Sequence, residues 1–509
     1  MTLAIDGGCF VGHELDTGFR YSVEQLLADM DRLGVGRALV GAYRAIYQDI
    51  REGNRDIARI AAAHPDRVIP LGLLHPAFYG ESPDQLLAWM HEELGFRAVG
   101  LVSRPQYYPV SWDTPAVRGI GEAAERRGLV LQAGIVDEGE LAAVGRAWGN
   151  LNTPVHVRWL GGHRYKVMAS EIAAAAQYPN LRFDVGNAAS TGAVATLAAR
   201  IGARRLFVAS NAPHQIADCA HAVLRDSCVS PADARDISGA TIAADLRLET
   251  AERAESGGDS WDDLLTRSKV DIHWHPDSWN LGEPALSESD QRAAFDRYGY
   301  ERVIVSSIRA LNDDIVEGNA LASTWTRIDS RVFALIVVNP LEPERSIDMI
   351  RRYADDPRFV GIKTIQDVFG VGLDDAAYRP LLEAASEKGL PVVAHLPGMD
   401  RAAERYPQLQ FVATHGNWGR THRHRALSNI AFDFSTGHAL RHETQLARFG
   451  DAVGWTRVLY GSDGQLVSPA WTLAKLHASA IAGEALEAVL RTNAYRVFPR
   501  LKQPRDSTS

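Results

Sequence analysis

The chain has 509 residues, of which 46% are hydrophobic and 23% charged, and its formal net charge is −9. This length exceeds one hydrophobic core and predicts several domains, and an acidic balance without a basic run argues against a nucleic-acid or anionic-membrane partner. Three cysteines make no disulfide framework, and we find neither a signal peptide nor an apolar stretch of membrane-spanning length, so we expect a cytoplasmic protein.

The chain carries a repeat of about half its length. DMDRLGVGRALVGAYRAIYQDIREGN at 29–54 aligns without a gap with the segment that ends in EGN at 317–319, a shift of 265 residues. The same shift places Asp6 on Asp271. Further on, NLRFDVG matches NIAFDFS, and RRLFVASNA matches TRVLYGSDG. These matches predict a duplicated domain.

Short apolar runs alternate with amphipathic stretches in each copy. In the second copy the runs are, in chain order, VDIHWHP, RVIVSSI, RVFALIVVNP, FVGIKTI, LPVVAHL, QFVATHG, IAFDFST and RVLYGSD. They predict parallel strands with both faces buried. Helical stretches such as AAYRPLLEAASEKG lie between them, with Gly389 at the place of a C-terminal cap. Eight strands in about 230 residues predict a (β/α)8 barrel.

The domain organisation follows from the repeat and from the strand count. We predict an α/β protein made of two fused (β/α)8 TIM barrels, at residues 1–245 and 269–502. The segment 246–268 is charged and contains glycine, which is typical of a linker. The polar residues 503–509 are predicted to be a disordered tail.

Catalytic groups of such barrels follow the carboxyl ends of the strands. In the second copy these positions hold, in chain order, His273, His275, Lys363, His395, His415 and Asp463. The i, i+2 spacing of the first two histidines places both on one face of strand one. A divalent metal needs about four donors, and nitrogen and oxygen ligands suit zinc, manganese or iron. The predicted ligands are His273, His275, His395 and Asp463.

Roles follow from the chemistry of such a site. A bound metal lowers the pKa of a coordinated water toward neutral, and Asp463 is the predicted general base that takes the proton. His415 is predicted to polarise the substrate or to stabilise a developing oxyanion. Substrate contacts are predicted for Lys363, Arg309 and His438. For Arg309 a structural role is favoured, because Arg44 occupies the same place in the other copy.

The second copy resembles the amidohydrolase superfamily over about 269–500. The motifs that carry the resemblance are DIHWHP, FVGIKTI, GLPVVAHLPG, YPQLQFVATHGN, YGSDGQ and the closing LRTNAYRVF. The most similar branch contains carboxymuconate-semialdehyde-type decarboxylases and pyrone-dicarboxylate lactonases. The resemblance implies the metal ligands His273, His275, His395 and Asp463.

The resemblance leaves three readings of Lys363. In two-metal relatives the lysine after strand four is carbamylated and bridges the metals. In this branch an unmodified lysine is frequent, and we predict a single metal with Lys363 as a cation that contacts substrate. A purely structural lysine is the third reading.

The first copy lacks every predicted ligand. The six positions hold, in the same order, Gly8, Phe10, Val102, Gly134, Arg158 and Asn211. This half therefore has no donors for the same metal. We predict that it is a scaffold, or a wall of the second site, rather than a second enzyme.

The predicted function is a metal-dependent hydrolase that attacks an amide, lactone or related carbonyl of a small molecule. The first alternative is non-oxidative decarboxylation of an aromatic or unsaturated acid, and the second is a metal-binding pseudoenzyme that acts as a binding module. One divalent metal is expected, with zinc ahead of manganese and iron. Family analogy predicts an internal pseudo-dimer and leaves further homo-oligomers open.

Overall fold

A computed structural model describes nine stretches of the chain, residues 5–15, 18–77, 81–104, 108–160, 168–248, 259–279, 286–416, 424–435 and 443–502. The chain divides into two compact units, Met1–Gly258 and Asp259–Ser509. The boundary lies inside the predicted linker 246–268, the last part of which contains the helix Asp259–Thr266 of the second unit. The predicted tail 503–509 lies outside the described residues.

The described part of the first unit has eight parallel strands that follow chain order across the sheet, and one antiparallel strand at its start. They are β1 (Ile5–Glu14), β2 (Phe19–Tyr21), β3 (Arg37–Ala42), β4 (Val68–Leu73), β5 (Ala98–Val102), β6 (Val130–Ile135), β7 (Val155–Trp159), β8 (Leu181–Asp184) and β9 (Leu206–Phe207). The antiparallel strand is β2. The Gly7 N–H donates to Val208 O (2.7 Å) and the Asn211 N–H to Gly8 O (2.9 Å), so the end of the sheet meets its beginning.

Helices of the first unit start where polar side chains cap them. The described helices are α1 (Val23–Leu33), α2 (Tyr43–Tyr47), α3 (Ile50–Ala63), α4 (Pro83–Ala88), α5 (Pro115–Arg126), α6 (Glu138–Trp148), α7 (Met168–Gln177), α8 (Ala193–Ile201), α9 (Ala217–Asp226), α10 (Pro231–Arg235) and α11 (Thr241–Leu246). Ser22 and Gln25 form a capping box at α1, and Asp49 caps α3. The predicted alternation of strand and helix is confirmed in this unit.

All eight strands predicted in the second unit are present, parallel and in chain order. They are β10 (Lys269–Trp274), β11 (Tyr300–Val305), β12 (Val332–Val337), β13 (Phe359–Thr364), β14 (Val392–Ala394), β15 (Phe411–Ala413), β16 (Ile430–Asp433) and β17 (Val458–Leu459). The Ile272 N–H donates to Tyr460 O (3.2 Å) and the Asp463 N–H to His273 O (2.9 Å). The parallel sheet therefore has a barrel-like arrangement.

Helices flank the second sheet in the same alternation. They are α12 (Asp259–Thr266), α13 (Glu288–Arg297), α14 (Ile308–Asn312), α15 (Ile315–Ile328), α16 (Pro343–Tyr353), α17 (Gln366–Phe369), α18 (Arg379–Glu387), α19 (Met399–Arg405), α20 (Glu443–Val453), α21 (Pro469–Ser479), α22 (Gly483–Glu487) and α23 (Asn493–Val497). Gly389 has a left-handed φ of 61° just after α18, which confirms the predicted cap. Within the described ranges no helix is long and apolar enough to cross a bilayer.

Alternation along the strands separates the core of the second unit from its site. Val270 and Ile272 belong to a buried apolar cluster that includes Phe498, which directly follows α23. Since successive side chains of a strand point to opposite faces, Asp271 and His273 face away from that cluster. This alternation leaves one face of β10 for polar side chains.

The two units share local contacts at positions that the sequence repeat pairs. In the first unit Asn54 Nδ2 donates to Leu73 O (2.8 Å), and Asn54 Oδ1 accepts the Leu73 N–H (2.9 Å). In the second, Asn319 makes the same two bonds with Val337, at 3.0 and 2.8 Å. Each bond pair ties a helix to the end of the next strand, so these asparagines have a structural role in both units.

Candidate metal centre

His273 and His275 are positioned by strand β10. Both side chains are buried, and their ring centroids lie 5.1 Å apart. Trp274 is also buried, but its indole Nε1–H donates to Gln291 (2.9 Å) and its ring packs against Phe295. The prediction that the two histidines share one face is confirmed, and the Trp274 side chain lies on the other face.

Asp463 completes a group of three ligand-type side chains. Its Oδ1 lies 3.2 Å from His275 Nε2 and 3.5 Å from His273 Nε2. The ligand atoms of the three residues all lie within 4.8 Å of one another, and all three residues are buried. Asp463 follows β17 with a left-handed φ of 62°, a conformation that costs a residue other than glycine about 1–2 kcal/mol. Its bonded surroundings, including its N–H bond to His273 O, hold it there.

The other predicted residues surround this group at unequal distances. Lys363 is buried on β13, and its Nζ lies 3.2 Å from His273 Nε2. The His415 ring lies 5.1 Å from the His273 ring, and the His395 ring lies 5.0 Å from that of His415. His395 is therefore close to the site but outside the group of three that meets within 4.8 Å.

The tautomers of the three histidines predicted to bind metal suit that role. Each is bonded through Nδ1 to an oxygen that can only accept, at 2.6–2.9 Å, the pairs being His273 with Asp433, His275 with the Ser306 carbonyl and His395 with Asp367. Nδ1 therefore carries the proton and Nε2 carries the lone pair. Metal-binding histidines in proteins are oriented by such bonds, so the donor set fits a divalent metal.

These accepting groups were missed by sequence reasoning. Asp433 was visible in NIAFDFS, where it served only as a repeat match with Asp184. Its chemical role would have been signalled by its place after the seventh strand, at the same edge as the ligands. The role of the Ser306 carbonyl could not be predicted, because every residue has a backbone oxygen and its residue type does not reveal what that oxygen contacts.

Charge in the site is concentrated on Asp463 and Lys363. Burial alone would raise the pKa of Asp463, but the imidazoles of His273, His275 and His415 more than offset it and hold the pKa well below its usual range. Burial lowers the pKa of Lys363 to about 8, against the opposing influence of nearby carboxylates. Asp463 is therefore an anion at neutral pH, and the ammonium of Lys363 is held close to deprotonation.

Three histidines of the site, His273, His395 and His415, are disposed to be neutral. Burial, followed by the charge of Lys363, lowers the pKa of His273 well below its ordinary value, and burial does the same for His415. The pKa of His395 is also lowered, mainly by burial. Neutral imidazoles are the form that binds metal ions.

One predicted substrate contact, Arg309, is not brought to this group. Arg309 lies on α14 with its guanidinium half exposed, and it is paired with Glu317 and, at 3.5 Å, with Asp313. The prediction of a substrate contact for Arg309 is thus replaced by the structural role. His438 lies outside the described residues.

The matching positions of the first unit are filled by one buried guanidinium. Arg158, on β7, donates to Asn211 Oδ1 (2.6 and 3.1 Å) and to Gln132 Oε1 (2.6 Å). Its guanidinium carbon lies 4.8 Å from the centre of the Phe10 ring. A Cβ atom built on Gly8 would overlap the guanidinium. The space that His273, His275 and Asp463 surround in the second unit therefore contains Arg158 in the first.

The second unit thus combines a barrel-like parallel sheet with a nitrogen–oxygen donor set at the carboxyl ends of its strands. Residues 260–500 match the family model described as amidohydrolase. No curated protein matches the chain significantly.

Solved structures resemble just under half of the chain. 5-Carboxyvanillate decarboxylase from Sphingomonas paucimobilis is 15% identical over 46% of this chain and 99% of its own, with a TM-score of 0.38. The enzyme of that name from Novosphingobium aromaticivorans, in complex with manganese and 4-hydroxy-3-methoxy-5-nitrobenzoic acid, is 16% identical over 47% and 97%, with a TM-score of 0.38. A protein described as a 2-pyrone-4,6-dicarboxylic acid hydrolase from Pseudomonas putida is 18% identical over 47% and 99%, with a TM-score of 0.38.

Proposed function

We propose that the second unit is a metal-dependent hydrolase that acts on an amide, lactone or related carbonyl of a small molecule. The observation that carries the proposal is the convergence of His273, His275 and Asp463, with ligand atoms within 4.8 Å of one another. Such a group is buried at the strand ends, where barrel enzymes keep their catalytic residues. Three neutral or anionic donors with nitrogen and oxygen atoms suit one divalent metal.

His273, His275 and Asp463 would hold the metal, and we propose His395 Nε2 as a further ligand. When bound, a divalent ion supplies Lewis acidity and lowers the pKa of a coordinated water. We propose zinc, with manganese and iron as the alternatives that the same donors accept. Asp433 would keep the His273 ring in place through its bond to Nδ1 (2.7 Å).

The charged groups define the remaining roles. Asp463, an anion at neutral pH, is the side chain placed to accept a proton from an attacking water. Lys363 is buried against His273, and its ammonium would bind a carboxylate or an oxyanion of the substrate. Because its pKa lies near 8, this attraction weakens above that pH.

Decarboxylation of an aromatic or unsaturated acid is the second candidate. The buried ammonium of Lys363 favours it, since a carboxylate is the group that this cation would bind most strongly in a water-poor site. The two reactions differ in product: only decarboxylation releases carbon dioxide, and only hydrolysis opens an ester or amide bond.

For the first unit we propose a scaffold role without metal. Arg158 fills its centre, and the ligand positions hold Gly8, Phe10 and Asn211. The proposal extends to the origin of the two units, as two (β/α)8 barrels that arose by duplication. It is supported by eight parallel strands in chain order in each unit and by the shared bonds of Asn54 and Asn319.

Metal analysis of the full chain tests the function. We expect about one zinc, manganese or iron per chain in the wild type and none in the double variant His273→Ala, Asp463→Asn, because two of the three converging donors are then lost. His91→Ala, a histidine of the first unit, is the matched control and should keep the metal. A folded wild type that binds no divalent metal would contradict the proposal.

Substrate screening then separates the two reactions. Metal-loaded protein is assayed against lactones and amides by acid release, and against hydroxybenzoates and unsaturated acids by carbon dioxide release. Ring opening without carbon dioxide supports the hydrolase. Carbon dioxide release that is lost in Lys363→Met would replace it by the decarboxylase.

A further inference from the structure

The Ser435 hydroxyl lies between two histidines of the site. It follows β16 and is fully buried. Its Oγ is 2.9 Å from Asp433 Oδ2, 2.9 Å from His415 Nδ1 and 3.2 Å from His273 Nδ1. One small side chain thus touches a metal-ligand imidazole, a second imidazole and the carboxylate that orients the first.

The number of hydrogen-bond donors and acceptors around Ser435 determines whether its hydroxyl donates to or accepts from each neighbour. Asp433 accepts on both oxygens: Oδ1 takes the Ser435 N–H, and Oδ2 takes the Nδ1–H of His273 at 2.7 Å. The single hydroxyl proton of Ser435 has an acceptor in Oδ2 of the same carboxylate. The lone pairs of Oγ are then left to accept a proton from His415 Nδ1.

We propose that Ser435 is a positioning residue that holds His415 in the Nδ1–H tautomer, with the lone pair on Nε2. A neutral His415 of this form accepts a proton at Nε2 and does not donate one there. It therefore differs from the oxyanion-stabilising donor that the sequence suggested. The kinetic part of this inference rests on the proposed function, whereas the tautomer is a property of the protein alone.

The first unit supplies an internal comparison. Asp184, which the repeat pairs with Asp433, keeps the corresponding backbone bond, accepting the Gly186 N–H at 2.7 Å. The partner of Ser435 is Gly186, where a Cβ would overlap the carbonyl oxygen of Ala209. The carboxylate is thus present in both units, whereas the hydroxyl is present only in the unit that has the histidines. We infer that the carboxylate stabilises the backbone at the end of the strand, whereas the hydroxyl orients the imidazoles.

The test is the tautomer of His415 in zinc-loaded full-length protein labelled with 15N-histidine. Two-bond proton–nitrogen spectra distinguish Nδ1–H from Nε2–H rings, and a His415→Gln sample assigns the signal. We expect Nδ1–H in the wild type and in Ser435→Thr, and a mixture or the Nε2–H form in Ser435→Ala. The His275 signals are the internal control, because its Nδ1 is bonded to the Ser306 carbonyl and not to Ser435.

Kinetics give the second readout once a substrate is found. Ser435→Ala should lower kcat about 10- to 100-fold with KM changed less than about twofold and with full zinc content, and Ser435→Thr should restore kcat. A wild-type Nε2–H ring would overturn the inference without any variant, and so would an unchanged tautomer in Ser435→Ala. A wild type that binds no divalent metal would contradict the proposed function instead, while the His415 tautomer remains measurable in the metal-free protein.

Discussion

The two units place different groups at the same point of a similar frame. Both have eight parallel strands in chain order, and both have a residue with left-handed φ after the eighth strand, Asn211 at 55° and Asp463 at 62°. In the second unit that residue faces two imidazoles. In the first it accepts two hydrogen bonds from the guanidinium of Arg158.

The comparison of the two units distinguishes residues that hold the backbone in place from residues whose side chains face the centre of the sheet. Asp6 and Asp271 each accept two backbone N–H bonds, one from two residues later and one from the segment after the eighth strand, at Ser210 or Ser462. These bonds are the same with or without histidines. A buried cation needs partners that accept its protons, and Arg158 finds them in amide oxygens where the other unit offers metal donors.

The largest expected effect concerns metal binding. Asp463→Asn in the second unit removes the anionic donor and should weaken metal binding at least about 100-fold, because an amide is a poor substitute for a carboxylate ligand. The mirror change in the first unit, Asn211→Asp, should leave metal content unchanged, since Gly8 and Phe10 offer no donors. Chelator competition with elemental analysis measures metal affinity and metal content in both variants. A second metal in Asn211→Asp would contradict the prediction that the first unit lacks metal donors.

Arg158→Met should destabilise the first unit by about 2–6 kcal/mol, because it leaves two buried amide oxygens without their donor, at about 1–3 kcal/mol each. The measurement is the unfolding free energy from a urea titration. Arg204→Met is the matched control: this arginine is 91% exposed, and the change should stay within about 0.5 kcal/mol. A loss below about 1 kcal/mol for Arg158→Met would show that its buried bonds contribute little.

Asn54→Ala and Asn319→Ala test whether the matching hydrogen bonds of the two units contribute equally to stability. Each removes an amide that bonds to both backbone groups of a strand-end residue, so each should cost about 1–3 kcal/mol of unfolding free energy. Metal content should remain unchanged in both variants. A large loss in only one of them would contradict the equivalence of the two frames.

A further prediction is a pH dependence of stability in the second unit. Lys269 is buried, its Nζ donates to three backbone carbonyls, and burial lowers its pKa from 10.5 to about 7. Between these values the unfolded chain binds up to one more proton, so stability rises with pH across this window, by at most about 1.4 kcal/mol per pH unit. Below pH 7 the penalty is fully present.

Lys269→Met should remove that contribution to the slope, measured by urea unfolding at pH 6, 7.5 and 9. Lys388→Met, at an exposed lysine, is the control and should keep the wild-type slope. Equal slopes in wild type and Lys269→Met would contradict the assignment. At the paired position of the first unit the sequence has Ala4, so no matching buried lysine is expected there.

The sequence by itself determined the strand order, the repeat and the shared face of His273 and His275, because alternation and spacing are local properties that backbone geometry translates directly into position. It also located Lys363, Asp463 and His415 at one edge, since all parallel strands end there.

Only the tertiary structure decided which atoms meet. The bonds of Asp433 and Ser435 to His273 join residues about 160 positions apart, and the distance of His395 from the other ligands depends on ring orientation. In the first unit the guanidinium of Arg158 occupies the space beside Gly8, because Gly8 has no side chain. Such contacts depend on register and packing across the sheet, which no spacing in one strand contains.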